Sequence, residues 1–209
     1  MNFNYIKGGV TAPKGFLASG IHCGLKKSNL KKDLALIYSE VPAAASGMFT
    51  KNKVKGAPIS ISKDHLSNKK AQAIIVNSGN ANTCNGTDGL NKAKKMTCLQ
   101  AKELNLKADD ILVASTGVIG VPLNIDAIKS GIPLLTQKLS KEGHDDASSA
   151  IMTTDTVKKE LALEFTIGDK VVTIGAMAKG SGMIEPNMGT ILSFITTDIA
   201  IIPELLDEA

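Results

Sequence analysis

The chain has 209 residues, 43% hydrophobic and 21% charged, the balance of a soluble globular protein long enough to bury a core. Its net charge of +4 comes wholly from lysine. With no arginine, no tryptophan and only two tyrosines, it lacks the bidentate and stacking groups of a nucleic-acid groove, so no nucleic-acid partner is expected. No apolar run nears the roughly 18 residues that span a bilayer, and the first residues lack the layout of a secretory signal, so no membrane association is expected. Three scattered cysteines, Cys23, Cys84 and Cys98, without a CxxC pair, point to reduced thiols in a cytoplasmic protein rather than a disulfide frame or structural zinc.

In chain order, His22-Cys23 is the one His/Cys neighbour pair and reads as packing or surface, with metal binding a remote second. The lysines fall in small groups, Lys26-Lys27 and Lys31-Lys32 first among them, which read as solvated faces of ordinary elements. Leu34 to Tyr38 and Ala71 to Val76 are short apolar runs consistent with buried strands. Asn77-Ser78-Gly79-Asn80-Ala81-Asn82 then has the composition of a loop, with Asn77, Asn80 and Asn82 read first as holding it together and second as lining a site. Gly89 to Asn105 is the clearest helix, with Leu90, Ala93, Thr97, Ala101 and Leu104 at three- and four-residue spacing.

Ile111 to Ala114 reads as a strand running into Ser115-Thr116-Gly117, and Asn124 to Ser140 as a helix interrupted at Gly131 and Pro133. Leu161 to Ile167 and Val171 to Met177 flank Gly168-Asp169-Lys170, a hairpin signal. Thr190 to Ile195 has the look of another buried strand, and Pro203 suits the first turn of a helix. The fold class these elements support is mixed α/β. The chain stops at Ala209, barely a turn and a half into that helix, which suggests part of a longer protein.

No histidine stands in a catalytic context and GxSxG is absent. A threonine after a glycine-rich loop offers another route to acyl transfer. Cleavage of the Gly189–Thr190 bond would give Thr190 a free α-amine, with a pKa of about 7.7–8.0, to act as base for its own hydroxyl. The same hydroxyl could make the cut, by attack on the Gly189 carbonyl, an N-to-O acyl shift and hydrolysis of the ester. Taken alone, a Gly-Thr pair is usually a turn into a strand, and Thr116-Gly117 an ordinary strand-ending turn.

The surroundings change that reading. Ser115-Thr116-Gly117-Val118-Ile119-Gly120, Ala150-Ile151-Met152-Thr153-Thr154-Asp155-Thr156, Lys179-Gly180-Ser181-Gly182-Met183-Ile184 and Pro186-Asn187-Met188-Gly189-Thr190 occur in that order. Together with Gly8 to Phe16, Asp33 to Ile37 and Asn77 to Asn82, they closely resemble the ornithine acetyltransferase family, the bifunctional glutamate N-acetyltransferases. The resemblance covers essentially the whole chain.

It implies an Ntn-like fold of helices layered around β-sheets, with no cofactor and no metal. Thr190 would be the nucleophile, Thr116 and Gly117 the oxyanion hole, and Thr156, Lys179 and Thr190 the substrate contacts. The implied reaction moves acetyl from N-acetylornithine to glutamate through an acetyl-threonine, with acetyl-CoA a further donor in some members. Residues 1–189 would be an α-chain segment and 190–209 the start of a β chain, whose absent remainder would complete an α/β hetero-oligomer. The family's chains run to about twice this length. Gly189 departs from the alanine many members carry before the nucleophile. Two rivals stand beside this reading: an Ntn-type aminopeptidase or amidase, with water as acceptor, and a non-catalytic truncated relative.

Overall fold

The structure is a computed structural model and describes residues 3–181 and 191–209. In chain order the elements are β1 (Phe3–Ile6), β2 (Phe16–Ile21), β3 (Leu34–Ala44), α1 (Ala57–His65), β4 (Lys70–Asn80), α2 (Gly86–Leu104), β5 (Ile111–Val118), α3 (Ile125–Gln137), α4 (His144–Ile151), β6 (Lys159–Ile167), β7 (Lys170–Lys179), β8 (Leu192–Thr197) and α5 (Pro203–Glu208). They form two four-stranded sheets, ordered β2-β3-β4-β5 and β1-β6-β7-β8. All neighbouring strands run antiparallel except β4 and β5, a parallel pair joined through α2.

The first sheet is covered on both sides, which is why Leu34, Ala35, Leu36 and Ile37 are all buried in succession. Leu34, Leu36, Ile75 and Val113 face α2 and α3 through Ala93, Met96, Ile128 and Leu135. Ala35, Ile37 and Val76 turn the other way, onto Ala147, Ala150 and Ile151 of α4 and Met177 of β7. The second sheet closes this inner layer with Ala162, Met177, Lys179 and Thr196. Its opposite face carries Phe3, Tyr5, Leu161 and Ile195, each at least half exposed.

The structure bears out the mixed α/β class and shows where local reading fell short. The expected loop at 77–82 is strand as far as Asn80, because β5 supplies parallel partners for its backbone through Gly79 and Asn80. The helix expected over 89–105 begins at Gly86, and Leu90 is 40% exposed while Met96 is fully buried. The expected break at Gly131 and Pro133 does not occur, since α3 runs unbroken through both. Gly131 lies where a Cβ would come 2.7 Å from that of Cys23, so the helix needs a bare position there. Pro133 is exposed, which leaves the Lys129 carbonyl it deprives of a partner open to water. The hairpin is as expected, with Ile167 pairing Lys170 across a two-residue turn. Pro133→Ala should restore the missing helical hydrogen bond and raise stability by about 1 kcal/mol or more in urea unfolding; an unchanged or lower midpoint would contradict this account of α3.

Candidate functional site

The strand ends of both sheets meet at one cleft of about 550 Å³. β5 contributes Thr116, Gly117 and Val118, β4 contributes Gly79, and β7 contributes Lys179, with Ser181 just beyond. Thr153 and Thr154 close one side, and Lys26, Lys27, Ser28 and Lys31 the other. Four lysines and no carboxylate lie among its described lining residues, so the cleft favours an anionic ligand.

The turn at Gly117 is set by backbone contact. Its φ is +133°, and a Cβ there would sit 2.4 Å from the Gly79 carbonyl carbon. Only glycine meets both demands. Side chains then lock the surrounding strand ends. Ser115 Oγ donates to Asn77 Oδ1 at 2.6 Å, and Asn77 Nδ2 donates to the Asn80 carbonyl at 2.8 Å. Asn80 Nδ2 reaches the Val121 carbonyl at 3.0 Å while its Oδ1 accepts from the Asn82 N–H. The asparagines therefore brace the turn, the role expected of them, although two of the three do so from within a strand.

Thr116 and Lys179 come from different sheets and meet in the interior. Lys179 Nζ donates to Thr116 Oγ1 at 3.3 Å, with Lys179 1% and Thr116 2% exposed. Burial lowers the Lys179 pKa from the usual lysine value, against the raising effect of the Asp155 carboxylate, while Lys159 also lowers it. Asp155 does not line the cleft, but it ties the Thr153-Thr154 segment to the end of β7. Its Oδ1 accepts from the Gly180 N–H at 2.8 Å and from Lys159 Nζ at 2.7 Å. Desolvation would raise this carboxyl, yet Lys159 and the N–H groups of Gly180 and Thr153 hold it at about 2. A depressed carboxyl stabilises the fold above its unfolded pKa, so this tie is lost only as pH falls toward 2.

The structure thus brings Thr116, Gly117 and Lys179 together. Thr156 follows Asp155 on the same segment but is exposed, and the cleft is lined instead by Thr153 and Thr154. Gly189 and Thr190 lie outside the described residues. Sequence reasoning missed Lys26, which it grouped with solvated lysines. Its Nζ donates to the carbonyls of Lys32 at 2.6 Å and Met152 at 2.8 Å. The loop that carries it is anchored by Asp33, fully buried, whose carboxylate accepts the N–H groups of Cys23, Leu25 and Lys26 at 2.6–2.9 Å. An aspartate opening a hydrophobic strand was the available signal. His22 also approaches Asp33, at 3.0 Å, and no metal-binding group of side chains occurs among the described residues. The three cysteines are free.

This fold is shared with known proteins. The ArgJ family profile matches residues 17–209, and the chain belongs to the ArgJ family. The arginine biosynthesis bifunctional protein ArgJ of Caldanaerobacter subterraneus subsp. tengcongensis is 49% identical over 204 residues, covering 98% of this chain and 50% of that protein. ArgJ 1 of Nostoc sp. is 52% identical over 197 residues, covering 94% of this chain and 48% of the relative. The chain therefore spans about half the length of the curated relatives it matches.

Among solved structures, ArgJ of Bacillus halodurans superposes with a TM-score of 0.83 at 42% identity, over 88% of this chain and 97% of that one. The Mycobacterium tuberculosis ornithine acetyltransferase complexed with ornithine gives 0.81 at 36% identity, over 88% and 98%. The L-aminopeptidase D-Ala-esterase/amidase of Ochrobactrum anthropi, described as a variant of the Ntn hydrolase fold, gives 0.57 at 13% identity over 96% and 66%, a likeness of fold alone.

Gly117→Ala should cost about 2 kcal/mol or more, because the added Cβ must push β4 and β5 apart and the backbone angle is strained besides. A chemical-denaturation midpoint equal to that of the wild type would show that the two strands do not meet as described.

Proposed function

We propose that this chain is the part of a self-cleaving acetyltransferase that holds the oxyanion hole, and that it serves arginine biosynthesis by moving acetyl from N-acetylornithine to glutamate. The observation that carries the reading is the buried contact between Lys179 and Thr116 beside Gly117. A hydroxyl that accepts from an ammonium has its own proton to give elsewhere. Thr116 O–H and the Gly117 N–H then act as paired donors to the acyl oxygen as it gains charge.

Thr190, as nucleophile, attacks the acetyl carbonyl of N-acetylornithine, and its hydroxyl proton passes to its own α-amine. Collapse of the tetrahedral adduct breaks the amide C–N bond, the α-ammonium returns the proton to the leaving nitrogen, and ornithine departs. The amine of glutamate then attacks the acetyl-threonine ester, giving N-acetylglutamate and free Thr190. Leu192, two residues beyond Thr190 in sequence, pairs with Lys179, so the chain enters β8 next to the cleft, which supports this assignment. Lys179, Thr156 and Thr190 are the proposed substrate contacts, and the electropositive cleft suits amino-acid carboxylates. Acetyl-CoA fits the same scheme as a second donor.

The same reading assigns residues 1–189 to an α chain and 190–209 to the start of a β chain. The remainder of the polypeptide is proposed to cover the sheet face that carries Phe3, Tyr5, Leu161 and Ile195, since the chain spans only about half of its relatives. A cytoplasmic location fits a biosynthetic enzyme with free cysteines, and no described helix is long and apolar enough to cross a membrane.

The test is direct. Incubated with N-acetylornithine and no acceptor, the complete polypeptide should gain one acetyl group, mapped by peptide mass spectrometry to Thr190, and transfer should follow ping-pong kinetics. Thr190→Ala should remain a single uncut chain without the adduct. An alanine variant that still cuts at 189/190, or an adduct on another residue, would refute the assignment.

A further inference from the structure

Lys26 is one of the three described cleft lysines that the acetyl-transfer scheme does not use, and it is built into the site. Its stem lies over Gly79, where a Cβ would meet Lys26 Cγ at 3.2 Å. Gly79 in turn bears on Gly117, whose N–H is one of the two proposed oxyanion donors. The ammonium is fixed at two points, the Lys32 carbonyl at 2.6 Å and the Met152 carbonyl at 2.8 Å. One carbonyl belongs to the loop that carries Lys26 and the other precedes Thr153, so the bond crosses the cleft wall. Asp33 holds the Lys26 backbone through its own N–H at 2.9 Å, which leaves the side chain little freedom to leave.

We propose that Lys26 is a positioning residue for acyl transfer: its anchored ammonium pins its stem over Gly79 and so holds the Gly117 N–H where the oxyanion forms. This rests on the acetyltransferase reading above. The anchor depends on charge, because hydrogen bonds from an ammonium are roughly twice as strong as those from a neutral amine. Burial pushes Lys26 down to about 8; Asp33 opposes this and Lys31 adds to it. Lys27, Lys31 and Lys179 are the other titratable groups lining the same cleft.

A lysine lowered to about 8 keeps its proton, and its charge-assisted bonds, below that pH and loses them as pH rises through it. The α-amine of Thr190 must instead lose its proton to serve as base. Activity should therefore rise toward pH 8 through the amine and fall above it through Lys26.

The experiment uses the complete polypeptide and two variants. Lys26→Met keeps an apolar stem and removes the ammonium; kcat should fall about tenfold or more with KM within about threefold, the pattern of a displaced transition-state donor. Lys26→Arg keeps a permanent cation; it should recover most of kcat and move the alkaline limb of the kcat profile up by about a pH unit or more. Amide exchange in the 115–120 segment should quicken by about tenfold in Lys26→Met while α2 is unchanged.

A wild-type kcat in Lys26→Met, a loss confined to KM, or unaltered exchange at 115–120 would each overturn the proposal. So would an alkaline limb that Lys26→Arg leaves in place, since that limb would then belong to Lys179. Should Lys26→Met fail to fold, the wild-type limb and the arginine variant decide the matter. If the wild-type protein takes up no acetyl group, the transferase reading falls, while the exchange measurement still decides whether Lys26 holds Gly117.

Discussion

The contact between Lys179 and Thr116 is where the two sheets of this protein become one site. Each residue is the last buried position of its strand before the chain turns out into the cleft. Burying an ammonium costs free energy unless hydrogen bonds and charge offset it. Here the Thr116 hydroxyl accepts a hydrogen bond from the ammonium, and the Asp155 carboxylate favours its charged form through space. An apolar residue at 179 would pack as well against Met177's neighbours in the inner layer, yet it would leave the Thr116 hydroxyl without the donor that orients it.

The parallel pairing of β4 and β5 supplies the second constraint. A parallel pair places the C-terminal ends of both strands at the same edge, and here the small residues at those ends let the backbones touch. That contact fixes the backbone at Gly117, which lines the cleft beside Thr116. Asn77 and Asn80 at the end of β4, and Asn82 beyond it, satisfy backbone carbonyls around this irregular pairing. In this arginine-free chain the positive charge of the cleft comes from lysines, and three of the four come from one loop, 22–33, held by a single buried aspartate.

Much of this architecture was legible locally. Alternation and run length reveal β3, β4 and β5, and the Gly168-Asp169 turn announces the β6–β7 hairpin. The α/β class follows from the mix of elements, whereas Thr116, Gly117 and Lys179 are singled out only by the family resemblance that the ordered motifs carry. What was not legible is set by tertiary contact. The Asn77–Asn80 segment is a strand only because β5 lies beside it, and α3 survives Pro133 only because its buried face is fixed by Ile128, Ile132 and Leu135. β1, β2, α1 and α4 carry too few residues with a clear period to stand out. Lys26 resembles its solvated neighbour Lys27 in every local respect; burial under the loop that Asp33 folds back distinguishes them, and no spacing encodes that.

In the proposed reaction Lys179 works through Thr116 on the developing oxyanion. A double-mutant cycle in the complete enzyme tests it most directly, with Thr116→Ala, Lys179→Met and the pair compared in kcat and KM. If the two act as a unit, each single change lowers kcat by about a hundredfold, and the double variant loses little more than the worse single. Losses that multiply in the double variant, or a Lys179→Met effect confined to KM, would contradict the account and leave Lys179 as a substrate anchor alone.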